Sequence, residues 1–191
     1  QNEYDQSAVI FTDALGREVS VPKEPERVAA LIGSFADVWM LAGGSVCATA
    51  EDAWDDFDLE LPDAVNIGGA HSPNLELIFS ANPDFVIASA STSSNVEMLE
   101  TLETAGITVA YFDVDNFEDY LAMLNICTDI TGRKDLYERN GLKLQSQIET
   151  IKLEMSEQPL TEEQKTVLLL RAHSGSVKAK ERESIRTGIE N

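Results

Sequence analysis

The chain has 191 residues, of which 43% are hydrophobic, enough for a folded core of one domain or slightly more. Its 34 acidic residues outnumber its 14 basic residues and give a formal net charge of -20. This charge argues against nucleic-acid binding and against unaided adsorption to an anionic membrane. The sequence contains two cysteines, Cys47 and Cys127, in apolar segments. We expect buried free thiols, and a disulfide between them stays open as the alternative.

Predicted strands and helices alternate along the first part of the chain. Two β-rich runs within residues 8–22 flank the turn 13–16 and predict a hairpin. Further strands are predicted at 27–32, 45–50, 65–69, 85–89 and 108–114, with helices at 35–42, 74–81 and 95–105 between them. Residues 51–62 read as an acidic loop. This order predicts an α/β fold, with a mostly parallel sheet and flanking helices.

The segment 66–89 combines a strand end, a glycine-rich loop, a short helix and a buried strand. Gly68 and Gly69 permit a sharp turn after the strand, and Pro73 and Asn74 begin the helix. We expect the apolar side of this helix to consist of Leu75, Leu77, Ile78 and Phe79. The run 85–89 is typical of a strand buried on both faces.

The pattern becomes helical after residue 115. Asn116 can cap a helix that runs to about Thr131, where Gly132 interrupts it. Residues 134–157 have helical spacing over about 36 Å, at 1.5 Å per residue. A new strand is predicted at 165–172, and we expect the polar residues after it to supply no partner strand.

Parallel sheets bind ligands beyond the carboxyl ends of their strands, so candidate contacts lie in the loops that follow each strand. Trp54 could stack on the face of a ligand, or it could cover the sheet edge. His71 could donate a hydrogen bond or supply an axial nitrogen, and an ordinary loop position is the alternative. The candidate ligand-binding residues of these loops are Ser34, Phe35, Trp54, Gly69, Ala70, His71, Ser72, Ser89 and Ser91.

The sequence lacks the motifs of several catalytic and metal-binding classes. There is no GxSxG elbow and no glycine-rich loop followed by Lys and Ser or Thr, and the two histidines are far apart. Asp55, Asp56 and Asp58 do not have calcium-loop spacing. We therefore predict a protein that is not an enzyme, with no catalytic residues, no bound metal of its own and no cofactor.

Five segments in order resemble the substrate-binding proteins of ABC importers for iron-siderophores, haem and cobalamin. They are FTDALGREVSVP, PERVAAL, IGGAHSPNLELIFSANPDFVIAS, LETAGITVAYFD and the long helix after TGRKD. The resemblance covers about residues 9–180. It implies two α/β lobes joined by one long helix, with the ligand between the lobes. It divides this chain into an N-terminal lobe at 1–132, an interlobe helix at 133–158 and the incomplete start of a second lobe at 159–191.

The resemblance also implies roles for particular residues. It matches Glu76 to a glutamate that docks to arginines of the membrane permease, and it places Arg171 and His173 on the second-lobe wall of the cleft. The implied ligand is an iron chelate, haem or cobalamin. The implied location is extracytoplasmic, either periplasmic or lipid-anchored at the outer face of the cell membrane.

The similarity fades after Lys180, so we expect a fragment or a truncated or frameshifted product in which half of the cleft is missing. The incomplete second lobe would then expose strand edges and favour self-association. Two other functions stay open. One is a small α/β enzyme or regulatory domain that binds a nucleotide, and the other is an importer component that binds bare metal ions.

Overall fold

The computed structural model describes residues 7–157, 170–173 and 176–179. The chain divides into two compact units, Gln1–Leu142 and Lys143–Asn191. None of the helices in these described residues is long and apolar enough to cross a membrane.

A five-stranded parallel sheet forms the centre of the first unit. Its strands are β3 (Val28–Ala30), β4 (Val46–Thr49), β5 (Val65–Asn66), β6 (Phe85–Ser89) and β7 (Thr108–Phe112), in the spatial order β5-β4-β3-β6-β7. All four neighbouring pairs are parallel. The predicted α/β class with a parallel sheet is therefore confirmed.

Helices cover both faces of this sheet, which is why its central strands are apolar on both sides. The helices of the first unit are α1 (Gly33–Leu41), α2 (Asp52–Asp55), α3 (Leu75–Ala81), α4 (Ser93–Glu97), α5 (Leu99–Thr104), α6 (Phe117–Thr131) and α7 (Lys134–Tyr137). Alternate strand residues separate two cores. One includes Phe85 and Ile87 with α1 and α6, and the other includes Val86 and Ala88 with α3 and α5.

The predicted hairpin is present as β1 (Ala8–Thr12) and β2 (Glu18–Pro22), paired antiparallel. Its turn covers the free edge of β7. The backbone N–H of Ala14 donates to the carbonyl of Tyr111 at 2.8 Å, and the carboxylate of Asp13 accepts from the Tyr111 N–H at 3.4 Å. Arg17 donates to the Val109 carbonyl at 2.8 Å along the same edge. These contacts occupy backbone groups that an open edge strand would leave unpaired.

Three expectations for the segments between the strands are wrong. Leu77 and Phe79 do not belong to the buried side of α3, since both are 38% exposed, and Ile78 and Ala81 are buried instead. A seven-residue helix presents only one narrow stripe to the core, and Leu77 and Phe79 lie on its flanks. The acidic segment 51–62 is also not entirely a loop, because it contains the one-turn helix α2. The helix predicted at 95–105 begins at Ser93 and is divided at Met98 into α4 and α5.

Helical structure runs from Lys134 to Glu157 as predicted, but it contains a π segment at Glu138–Leu142 between α7 and α8 (Lys143–Glu157). Gly141 lies against Leu121 within the first unit, where an added Cβ would come within 3.0 Å of the leucine side chain. The side-chain amide of Asn140 donates to the Leu41 carbonyl at 2.8 Å. Because a Cβ at this position would crowd α6, glycine at 141 allows the π segment to pack closely on that helix.

The expectation that no strand follows the 165–172 strand is wrong. The strands β8 (Leu170–His173) and β9 (Ser176–Ala179) form an antiparallel pair. Pairing uses backbone groups, so a polar sequence can supply a partner strand. Residues 165–169 of the predicted strand and the segment 180–191 lie outside the described residues.

Candidate functional site

The candidate site lies at the carboxyl edge of the parallel sheet. The chain proceeds from β3 outward to β4 and β5, then returns to place β6 on the other side of β3. The carboxyl ends of β3 and β6 therefore flank the point at which the strand order reverses. Open α/β sheets bind ligands in the crevice at this point. Ser34 follows β3, and Ser89 is the last residue of β6.

The loops after β3 and β4 are joined by a contact between Gly33 and α2. The backbone N–H of Gly33 donates to the carboxylate of Asp52, with both oxygens at 3.0 Å. A Cβ on Gly33 would lie 2.4 Å from the backbone nitrogen of Ala53, so only glycine permits this approach. Trp54 is positioned by this contact. It is half-buried, and its ring has no aromatic partner among residues 7–157.

The loop after β5 has a defined backbone conformation. Gly68 has a φ of 94°, and its N–H donates to the side chain of Asn66 at 2.8 Å. The Gly68 carbonyl accepts from the N–H of Glu51 at 3.0 Å, which ties this loop to the loop after β4. The N–H of Ser72 donates to the Gly69 carbonyl at 2.9 Å. His71 and Ser72 are consequently held as exposed side chains, while Ala70 is half-buried.

Two serines, Ser89 and Ser91, lie at the end of β6 with Ala90 between them. Ser89 is buried, and its hydroxyl lies 3.0 Å from that of Ser91, which is exposed. Ser89 thus supports a hydroxyl that a ligand can reach. The Ser89 N–H donates to the side-chain oxygen of Asn95 at 3.0 Å.

The structure adds Asp52 and Asn95 to the residues that shape this edge. Both were missed because their partners are distant in sequence or lie on the backbone, which composition and spacing do not reveal. The only available signal was the general preference of Asp and Asn for capping and turn contacts with backbone groups.

The remaining predicted residues are Phe35, Ser34, Arg171 and His173, and they lie on α1 and β8 rather than in the exposed loops. Phe35 is buried and packs edge-on against Phe112, with ring centroids 6.3 Å apart, so it supports the core beneath the site. Ser34 is half-buried at the start of α1. Arg171 and His173 lie on β8, and their ligand contacts stay predictions.

The chemistry available at this edge is hydrogen bonding and stacking. The described residues contain no group of three or more His, Cys, Asp or Glu that could hold a metal ion. Hydroxyls, an imidazole and an indole instead suit a ligand with polar edges and a planar or aromatic face. Both cysteines are free thiols, but only Cys127 is buried as expected, in the same core as Phe35, and Cys47 is half-buried. Burial raises the pKa of Cys127 to about 12.

Glu76 lies in the first turn of α3, just after the loop that follows β5. The side chain of Asn74 caps this helix by accepting from the N–H groups of Glu76 and Leu77 at 2.9 and 3.2 Å. Glu76 is exposed and forms no ion pair with the residues that the structure describes. The exposed side chains of Leu77 and Phe79 flank it.

A groove of about 460 Å³ lies at the opposite, amino-terminal edge of the sheet. Its lining includes Arg27, Phe79 and Asp84. The Arg27 side chain donates to the carbonyls of Ala81 and Asn82 at the end of α3, so its guanidinium is largely occupied. The groove lies at the edge of the sheet opposite the predicted ligand contacts, so the two positions can be told apart by experiment.

A family model described as periplasmic binding protein matches residues 28–186, which is most of the chain. The chain belongs to the periplasmic binding protein family. The family predicted from the sequence is thereby confirmed, and the sheet with its long helix at 134–157 agrees with the fold of that family.

Three relatives illustrate what this periplasmic binding protein chain is similar to. An uncharacterised ABC transporter substrate-binding lipoprotein of Bacillus subtilis strain 168, YvrC, is 23% identical over 84% of this chain and 51% of its own length. The petrobactin-binding protein YclQ of B. subtilis is 17% identical, with a TM-score of 0.71 over 90% of this chain and 60% of that one. The vitamin B12-binding protein BtuF of Vibrio cholerae is 15% identical, with a TM-score of 0.60 over 71% and 52%. The chain thus spans about half the length of the curated relative it matches.

Proposed function

We propose that this chain is part of an extracytoplasmic substrate-binding component of an ABC importer, and that it captures an iron-siderophore, haem or a corrinoid without chemical conversion. The observation that carries the proposal is the convergence of loops after β3, β4, β5 and β6 at the carboxyl edge of the sheet. The name of YvrC supports the role in an ABC transporter, and the petrobactin and vitamin B12 ligands of YclQ and BtuF support the ligand class.

In this proposal, each loop supplies one kind of contact. The Trp54 indole stacks on the flat part of the chelate or macrocycle, because aromatic rings bury large apolar faces at low conformational cost. Ser91 and His71 are exposed and bind polar groups at the ligand's edge. Because stacking and hydrogen bonding are non-covalent, binding and release need no catalytic residue.

The test is a titration of the full chain with haemin, cyanocobalamin and a ferric tris-catecholate, followed by tryptophan fluorescence. A Trp54→Phe variant separates the Trp54 signal from that of buried Trp39. We expect at least one probe to bind with a Kd below ~100 μM, about -5.5 kcal/mol. Failure of all three probes would contradict the ligand class, and tighter binding of ATP in a parallel titration would favour a nucleotide-binding function.

We also propose that Glu76 contacts a basic residue of the importer's membrane permease. Its exposure and its lack of an ion pair among the described residues support a role in docking. The exposed Leu77 and Phe79 on either side would lower the local dielectric once a partner covers them, which strengthens a charge pair.

Docking is tested by the binding of the protein to vesicles that carry the permease of the same transport system. We expect Glu76→Gln to weaken binding and to flatten its dependence on salt. Glu100→Gln is the matched control, since Glu100 is also an exposed acid in the first turn of a helix. Equal effects of the two variants would indicate a general charge effect and contradict the docking role. Protease treatment of intact cells tests the extracytoplasmic location that this proposal requires.

A further inference from the structure

Asn95 connects two loops of the candidate site. It is fully buried in the middle of the short helix α4, six residues after the end of β6. Its side-chain oxygen accepts from the Ser89 N–H at 3.0 Å, and its side-chain nitrogen donates to the Ala70 carbonyl at 3.5 Å. The amide orientation follows from these partners, because an N–H can face only an acceptor and a carbonyl only a donor. One side chain therefore joins the end of β6 to the loop after β5.

Asn95 is itself held by a third element. The hydroxyl of Tyr111, on β7, donates to the backbone carbonyl of Asn95 at 2.7 Å. Tyr111 is fully buried, and burial raises the pKa of its phenol to about 12, so the donor keeps its proton throughout the physiological range. The Arg17 guanidinium lies 5.5 Å from the centre of the Tyr111 ring and fixes the ring from the hairpin side.

The two side-chain contacts of Asn95 differ in strength. A donor–acceptor distance of 3.0 Å is typical of a well-formed hydrogen bond, and 3.5 Å is at the long end of the range. The Ser89 end is thus firmly attached to Asn95, and the Ala70 end is the weaker attachment. In this arrangement, Asn95 and β6 form the fixed side, and the loop with His71 and Ser72 is the side that can adjust.

We propose that Asn95 is a positioning residue that holds the loop 69–72 against the end of β6 and so sets the ligand-binding geometry of His71, Ser72 and Ser91. The inference rests on the proposed function for its consequence in binding. Its structural part, the attachment of one loop to the other, is independent of any ligand and is tested separately.

The first test is backbone amide hydrogen exchange of the full chain with Asn95→Asp at mildly alkaline pH. The carboxylate still accepts from the Ser89 N–H but cannot donate to the Ala70 carbonyl. We expect exchange of the Ser72 amide to rise about tenfold or more, equivalent to about 1.4 kcal/mol, while that of Ser89 changes little. The Ser72 amide is a suitable reporter because it donates within this loop, to the Gly69 carbonyl.

Asn140→Asp is the control for the chemical change, at a position that is half-buried, whereas Asn95 is fully buried. It makes the same chemical change and likewise removes a side-chain donor from a backbone carbonyl, that of Leu41, at a place remote from these loops. We expect it to leave the Ser72 amide unchanged. Tyr111→Phe is the second variant if Asn95→Asp does not fold, and we expect it to raise Ser72 exchange by a smaller factor, because it removes only the support of Asn95.

The second test repeats the titration with haemin, cyanocobalamin and the ferric tris-catecholate. For a probe that binds the unchanged protein, we expect Asn95→Asp to weaken binding about tenfold, about 1.4 kcal/mol, and Asn140→Asp to have no such effect. If no probe binds but Ser72 exchange rises as expected, the proposed function fails and the loop attachment stands. An unchanged Ser72 amide, or an equal rise in the amides of β3 and β4, would overturn the positioning role.

Discussion

The contact between Gly33 and α2 gives a sharp prediction for the substitution Gly33→Ala. The added Cβ would lie 2.4 Å from the backbone nitrogen of Ala53, 2.7 Å from its Cα and 2.8 Å from the carbonyl carbon of Asp52. Non-bonded atoms of this kind normally stay about 3.5 Å or more apart, so α2 must move by roughly 1 Å. All three obstructing atoms belong to the backbone, and a side-chain rotation cannot relieve the clash.

The expected cost of this movement has two parts. Overpacking costs about 1–3 kcal/mol. The shift also weakens the capping of the Gly33 N–H by Asp52, which contributes about 1 kcal/mol. Gly33→Ala should therefore lower the free energy of unfolding by about 2–4 kcal/mol, and it should change the native emission of Trp54, which is carried by α2.

Urea denaturation followed by circular dichroism measures the free energy, and fluorescence of the native state measures the movement. Gly106→Ala is the control, since an added Cβ meets nothing within 4 Å there and the only cost is a φ of 80°. That cost is about 1–2 kcal/mol, with no change at Trp54. If Gly33→Ala were no more destabilising than Gly106→Ala and left the emission unaltered, the proposed packing of α2 on α1 would be wrong.

Three further predictions concern individual side chains. Asp52→Ala removes the acceptor for the Gly33 N–H and should cost about 1 kcal/mol in urea denaturation, and a change within error would refute the capping role. Burial raises the pKa of both cysteines, that of Cys127 to about 12, but only Cys127 is fully shielded from reagent; iodoacetamide at alkaline pH should therefore modify half-buried Cys47 first, and equal native rates by peptide mass spectrometry would contradict this. Burial also raises the pKa of Tyr111 from 10.0 to about 12. The contribution of its protonated phenol to the free energy of unfolding is therefore complete below pH 10 and is lost as the pH rises to about 12. Over that range, the free energy of unfolding of Tyr111→Phe should fall less than that of the unchanged protein.

Local patterns in the sequence predicted much of the first unit. The strand Phe85–Ser89 and the helix Phe117–Thr131 have the predicted bounds, because a proline turn precedes the strand, and Asn116 and Gly132 delimit the helix. Asn116 accepts from the N–H of Asp119 at 2.9 Å, and Gly132 has a φ of 70°. These signals act within one helical turn and are visible without the fold.

Features that depend on distant contacts were not predictable. The strand β5 ends at Asn66, earlier than expected, because Gly68 turns the backbone and the Glu51 N–H binds the Gly68 carbonyl. The division of the 95–105 helix at Met98 has no local signal such as a glycine or proline.

For the candidate site, the loops were predicted from the parallel topology, but their attachment to one another was not. The contacts of Asp52 with Gly33 and of Asn95 with Ala70 span 19 and 25 residues. No pattern of composition or spacing in one sequence reports such pairs. Phe35 was predicted as a ligand contact because it follows a strand end, but the sequence did not reveal that its ring packs inside the core.

The most direct test of ligand binding at the carboxyl edge is to map amide chemical shifts in the full chain, using whichever of the three probes binds. We expect the shifts to concentrate at the carboxyl edge of the sheet, at Ser34, Ser72 and Ser91. Shifts concentrated in the amino-edge groove, at Arg27 and Asp84, would contradict this expectation.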